Sequence, residues 1–216
     1  NETIIITISS PTNSSLGTNT THTLTVTDED AVPTLEFSNA TASVDEADGI
    51  INGTLAFASG STLPVANDAT VDYAISATST ARATQDYTFS SGTATIASGS
   101  ASTATVSIPV TILNDVVDED NQTVVVALSN PTNCAVGTNT TFTITITDND
   151  NAPTIEFTAA SSSGAEATSS VSLTVALSDT SEKDISVDYT ADGSSTATGS
   201  GADYTLAASS ASISAG

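Results

Sequence analysis

Residues 1–37 and 121–157 are one passage written twice, offset by 120 positions without a gap and identical at 20 of 37 places. Asn1-Glu2-Thr3 is answered by Asn121-Gln122-Thr123, Pro11-Thr12-Asn13 by Pro131-Thr132-Asn133, and Pro33-Thr34-Leu35-Glu36-Phe37 by Pro153-Thr154-Ile155-Glu156-Phe157. A period of this length is that of whole domains in tandem, not of a solenoid built from short units. Similarity continues beyond the copied passage as loops change length. Glu166 answers Glu46, Val187-Asp188-Tyr189 answers Val71-Asp72-Tyr73, Asp203-Tyr204-Thr205 answers Asp86-Tyr87-Thr88, and Ile213 answers Ile96. The borders that follow are 1–30 for the last strands of one domain, 31–150 for a complete domain, and 151–216 for the first part of a third. The chain is expected to be a window on a longer repetitive protein.

Local pattern says what each repeat is made of. In Thr141-Phe142-Thr143-Ile144-Thr145-Ile146-Thr147 the apolar residues face one way and the threonines the other, the period of two of a half-buried strand. Thr21 to Thr27 is its copy. Ala101 to Ile112 alternates through Ala104, Val106 and Ile108, and Pro109 removes a ladder donor, which predicts an edge or a bulge. Val124-Val125-Val126-Ala127-Leu128 is continuously apolar, as for a central strand covered on both faces. No segment carries a long 3.6-residue apolar period. About seven strands in about 120 residues predict an all-β, immunoglobulin-like antiparallel sandwich. With no Trp and 4% aromatic residues, its core is built from Val, Ile, Leu and Ala, with Tyr73, Tyr87 and Phe57 as the large pieces.

The formal charge is −23, with Arg82 and Lys183 as the only Lys or Arg residues. That excludes nucleic acid, because phosphate contacts need basic side chains. It excludes an anionic membrane surface for the same reason, and the apolar runs are strand-sized, so direct membrane insertion is not expected. Cys134 is the only cysteine and answers Ser14, so it forms no disulfide within a domain. A buried small residue is expected there, with an intermolecular bridge as the alternative. Sequons begin at Asn1, Asn13, Asn19, Asn39, Asn52, Asn121 and Asn139, which makes glycosylation possible. An enzyme is not expected. His22 is the only His and answers Phe142, a strand position; Cys134 has no His partner, and there is no Gly-x-Ser-x-Gly elbow. The absence of Trp also removes the stacking platform of a carbohydrate site.

The acids carry the functional signal. In the complete repeat they gather at Asp45, Glu46 and Asp48, at Asp86, at Asp115, Asp118, Glu119 and Asp120, and at Asp148 and Asp150. These loops can share one end of a sandwich. At ~5 Å and an effective dielectric near 20, each carboxylate pair repels by roughly 3 kcal/mol, so four or five converging carboxylates need a cation. Oxygen-only ligands in loose geometry suit Ca²⁺ rather than zinc or copper. The plain alternative is a set of solvated loop acids.

The ordered motifs Asp86-Tyr87-Thr88, Gly92-Thr93-Ala94-Thr95-Ile96, Ile112-Leu113-Asn114-Asp115-Val116-Val117-Asp118-Glu119-Asp120, Thr123-Val124-Val125-Val126 and Thr145-Ile146-Thr147-Asp148-Asn149-Asp150 resemble those of the Calx-beta domain family. The resemblance covers nearly the whole chain. It implies a Calx-beta type sandwich in tandem, with calcium at the domain's distal end. Carried over by position, the ligands are Glu46, Asp86, Asp115, Asp118, Glu119, Asp148 and Asp150. In the flanking copies Asp28 and Asp30 keep the terminal pair, while Glu166 and Asp203 keep the earlier positions. Asn114, Asn121 and Asn149 stand where acids are common in the family, which implies about one or two ions of extracellular-type affinity.

Two functional expectations follow. One is a structural segment of an extracellular, cell-surface fibre or adhesin stalk whose junctions are made rigid by calcium. Its partners are neighbouring repeats of the same chain, or copies of itself arranged head to tail. In the head-to-tail case, residues 151–216 and residues 1–30 complete one another, leaving only a piece matching about 100–120 unaccounted for. The alternative is a calcium-sensing regulatory module.

Overall fold

The computed structural model describes residues 1–27, 29, 31–61 and 66–216. Alternation of branched apolar residues with Thr and Ser gives strands throughout, and the described residues contain no α-helix. Residues 34–147 form two five-stranded sheets. One holds β4 (Thr41–Asp45), β6 (Ala69–Ile75), β8 (Gly92–Ile96), β10 (Gln122–Thr132) and β12 (Thr141–Thr147), in the spatial order β4-β12-β10-β6-β8. The other holds β3 (Thr34–Phe37), β5 (Ile50–Phe57), β7 (Tyr87–Thr88), β9 (Thr105–Ile112) and β11 (Ala135–Val136), in the order β11-β3-β5-β9-β7.

The two inner faces meet in a core of Leu35, Phe37, Leu55, Val71, Ile108, Val110, Val124, Val126 and Ile144, each at most 1% exposed. The alternation in β12 is realised as read: Phe142, Ile144 and Ile146 point inward and the threonines outward. β10 lies at the centre of its sheet, between β12 and β6. Only Val124, Val126 and Leu128 are buried, however, because a two-layer sandwich gives each sheet a single inner face. Pro109 lies on an exposed edge: β7 covers β9 only at Thr111 and Ile112, so no partner strand asks Pro109 for a hydrogen bond on that side. Gly53 is required by packing. A Cβ there would stand 3.0 Å from both the Phe37 and Phe142 rings, which pack with centroids 5.7 Å apart.

Two pairings are parallel rather than antiparallel, β4 with β12 and β11 with β3. The first arises because the opening strand changes sheets at residues 38–40. Its first half, β3, pairs with β5, and its second half, β4, joins the final strand β12.

The remaining strands form hairpins that reproduce this register. β1 (Glu2–Thr7) pairs β2 (Thr21–Val26) with Ile4 opposite Leu24, as Val124 lies opposite Ile144. β13 (Ile155–Phe157) pairs β14 (Val175–Leu177) with Ile155 opposite Leu177, as Leu35 lies opposite Phe57. β15 (Ile185–Tyr189) pairs β16 (Ser209–Ile213) with Val187 opposite Ala211, as Val71 lies opposite Ala94. Their burial differs: Ile4 is 51% and Leu24 48% exposed, against 0% for Val124 and Ile144. Among the described residues no helix is long and apolar enough to cross a membrane. Cys134 is a half-buried free thiol, donating to the Thr70 carbonyl at 3.3 Å and packed against the core.

This difference in burial sets a stability prediction. Ile144→Ala will destabilise the chain by about 2–5 kcal/mol, the cost of a cavity in a packed core. Leu24→Ala, the same place one repeat earlier, will change the stability of dilute protein by no more than about 0.5 kcal/mol. Chemical denaturation of both variants checks the contrast.

Candidate metal centre

Where β4 ends, Asp45 caps a single 3₁₀ turn, Glu46–Asp48: its Oδ1 accepts from the Ala47 N–H at 3.0 Å, and Asp48 Oδ2 accepts from the Asp45 N–H at 2.7 Å. This capping box gives two acids of the early trio a local task and turns the third inward. Glu46 is 3% exposed, and its Oε2 has no hydrogen-bond partner. The turn was not legible as such, although the Asp-x-x-Asp spacing of residues 45–48 is its signal.

The loop after β9 brings Asp115 to the same place, and the chain leaving β12 brings Asp150. Carboxylate oxygens of Glu46, Asp115 and Asp150 all lie within 4.8 Å of one another. Asp115 Oδ1 accepts from the Val117 N–H at 2.8 Å, which fixes the loop. Asp148 is held by two backbone donors, Glu119 N–H at 3.0 Å and Asp150 N–H at 3.1 Å. Asp86, 2% exposed, accepts from the Arg82 N–H through Oδ2 and leaves Oδ1 buried without a partner. Asn149 donates to Asp45 Oδ1 at 2.6 Å and to Asn114 Oδ1 at 3.0 Å, so these two asparagines lace the turn, the loop and the exit strand together. Asn121 accepts from the Asp148 N–H at 3.3 Å.

The charges are crowded. Burial, and then Asp115, Asp148, Asp150 and Asp86, push the Glu46 carboxyl up to about 7. Burial, and then Asp86, Glu182 and Asp115, push Glu119 up to about 7 as well. Asp86 and Asp150 are raised, in both cases chiefly by loss of water. Asp118 behaves differently. The Lys183 ammonium, 2.6 Å from its Oδ1, holds it below the ordinary carboxylate range.

Residues 181–183 belong to the segment after the junction, and they dock on the 115–120 loop. Ser181 pairs with Asp118 in an isolated parallel bridge, its hydroxyl donating to Asp118 Oδ2 at 3.0 Å. Glu182 donates its N–H to the Asp118 carbonyl at 3.0 Å, and its carboxylate forms a two-pronged pair with the Arg82 guanidinium. The sequence offered no signal for this docking, because neither cation recurs in the repeat.

The flanking positions stand apart from the cluster. Glu166 is exposed on a turn. Asp203 is exposed and accepts from the Thr198 N–H at 2.6 Å, keeping the local loop of Asp86 without its acidic neighbours. Asp28 and Asp30 lie outside the described residues.

The crowding has a sign in pH. Glu46 and Glu119 hold their protons more tightly when folded than at the ordinary value of 4.5. Their contribution to stability is therefore full below about 4.5 and is lost as the pH rises through about 7. In the presence of a chelator the melting temperature will fall across that interval, and Glu46→Gln with Glu119→Gln will flatten the fall. A calorimetric pH series that rises steadily over the same range would contradict the crowding.

No curated protein matches the chain in sequence. Among solved structures it is similar to the apo form of the Calx CBD1 domain, at 19% identity, covering 56% of this chain and 100% of that one, with a TM-score of 0.49. It is also similar to CBD12 from CALX1.2, at 20% identity and a TM-score of 0.48, and to the calcium binding domain CBD12 of CALX1.1, at 21% and 0.47. Each of these two matches covers 58% of this chain and 48% of the other, so the chain spans about half their length. The Calx-beta domain family model matches residues 28–150 and again 148–212. The sandwich, its repeated registers and these two tandem matches place the chain in the Calx-beta domain family, a family of non-catalytic modules that bind Ca²⁺.

Proposed function

We propose that the chain is a calcium-stiffened segment of a repetitive extracellular fibre or adhesin stalk at a cell surface. The observation that carries the calcium reading is the Glu46 carboxylate, buried, unpartnered and within 4.8 Å of Asp115 and Asp150. A cation of loose oxygen coordination removes the repulsion and gives the orphaned oxygens a partner. Glu46, Asp115 and Asp150 hold the ion, with Asp86, Asp148 and Glu119 around it. Asp148 and Asp150 are also the last acids before the next repeat, so an ion there fixes the direction in which the chain leaves the sandwich. The Ser, Thr and Asn-rich surface and near-identical repetition favour architecture over a calcium-sensing module, which needs a responding partner.

Calcium at a hundredfold excess over its Kd adds ~2.7 kcal/mol to the folded state, which raises the melting temperature on the order of 10 °C. The rise will be reversed by EDTA and lost in Glu46→Gln and Asp115→Asn. Superimposable melting curves with and without calcium would overturn the calcium reading.

The repeat specifies a register for head-to-tail assembly, the arrangement in which β1 of one copy adds to β15 of the next. β1 answers β10 and β15 answers β6, and in the sandwich β10 and β6 are neighbours with Val126 opposite Ile75 and Leu128 opposite Tyr73. The repeat therefore puts Ile6 opposite Ala191 and Ile8 opposite Tyr189 when β1 of one copy adds to β15 of the next. Directly opposite side chains have Cβ atoms about 4.5–5.5 Å apart, within reach of a disulfide. In a Cys134→Ser background, Ile8→Cys with Tyr189→Cys will give a ladder of covalent oligomers on oxidation. Thr7→Cys with Tyr189→Cys, one residue out of register, will not. A chain that stays monomeric at high concentration and gives no ladder would rule out head-to-tail completion.

A further inference from the structure

The chain has two Lys or Arg residues among its 216, against 25 acids, and both lie on the same junction. Arg82 comes from the 31–150 repeat and pairs with Glu182 of the following one; Lys183 comes from the following repeat and reaches back. Its Nζ lies 2.6 Å from Asp118 Oδ1 and 3.7 Å from Asp148 Oδ2. The Ser181 hydroxyl anchors this arrangement by donating to Asp118 and accepting from the Lys183 N–H at 3.1 Å. The acidic end is thus divided. Asp118 and Asp148 already face a positive charge, while Glu46, Asp86 and Asp150 retain buried oxygens without a partner.

We infer that Lys183 is a tethered cation, contributed by the next repeat, that occupies the Asp118–Asp148 half of the metal centre and so limits the number of divalent ions this junction takes. The inference rests on the calcium reading of the Glu46, Asp115 and Asp150 half. An ammonium and a hydrated divalent ion compete for the same carboxylate oxygens, and the ammonium on a four-carbon stem arrives with the docked segment rather than from solution. The residue that aligns with Lys183 in the 31–150 repeat, four places before Val71 as Lys183 is four before Val187, is Asn67. Asn67 carries no charge, so this position offers a preceding junction no tethered ammonium. Arg82 has a different task, since its guanidinium grips Glu182 rather than the ligand carboxylates.

The test is a calcium titration of the intact chain by calorimetry with equilibrium dialysis. Lys183→Gln is expected to bind one more ion than the unaltered chain, Lys183→Arg to bind no more than it, and Lys183→Gln with Asp118→Asn to lose the gain. Arg82→Gln breaks the other cross-junction pair and serves as the control for a loosened junction, so its stoichiometry is expected to be unchanged. If Lys183→Gln and the unaltered chain bind the same number of ions, the tethered-cation inference is overturned while the calcium reading stands. If only Lys183→Gln binds calcium, the calcium reading of the Glu46 half falls and the inference, which rests on it, falls with it. If neither binds, or if Arg82→Gln gains an ion as Lys183→Gln does, the inference is overturned.

Discussion

Mutual repulsion of carboxylates at one end of the sandwich is the constraint around which the rest is arranged. Each close pair costs a few kcal/mol at the effective dielectric of a protein surface, a large share of the 5–15 kcal/mol by which a folded domain is stable. The fold nevertheless delivers acids from four separate places to that end: the turn after β4, the loop before β7, the loop after β9 and the exit from β12. The means are local. A capping box turns Glu46 inward, backbone donors hold Asp148, and Asn149 ties the exit to the turn and the loop. What remains uncompensated at Glu46, Asp86 and Asp150 is the charge itself, since the Lys183 ammonium supplies the opposite sign only to Asp118 and Asp148.

The small core makes that compensation weigh more. With Phe37 and Phe142 as its main aromatic pair and Gly53 trimmed to fit beneath them, the sandwich gains most of its burial from Val, Ile and Leu. Such a core depends on register, since a slip of one residue would turn every inward side chain to water. The recurrence of the same facing pairs in the flanking hairpins shows how firmly the alternation sets that register, even where the second layer is not present to bury it.

Much of this was written in the sequence. The period of 120 and the Thr-apolar alternation of β12 translate into structure one residue at a time, because alternation reports directly which side of a strand meets the core. The grouping of Glu46 with Asp115 and Asp150 was legible from the order of motifs, not from any local pattern. Other features were hidden. The 3₁₀ turn at Glu46–Asp48 is too short to show a period. β10 read as doubly covered because a continuous apolar run looks the same whether or not the outer face is wet. The docking of Ser181, Glu182 and Lys183 on the 115–120 loop joins residues more than sixty apart through polar contacts, which leave no periodic trace.

The parallel pairing of β4 with β12 gives the sandwich a mechanical character. The opening strand and the closing strand are neighbours and run the same way, joined through five facing pairs from Thr143–Thr41 to Thr147–Asp45. Tension along the chain pulls these two strands in opposite directions past each other. The ladder between them is then loaded in shear, with its hydrogen bonds strained together rather than opened one by one from an end. A string of such modules resists extension collectively, and the strand that switches sheets at residues 38–40 is what puts its first and last strands side by side.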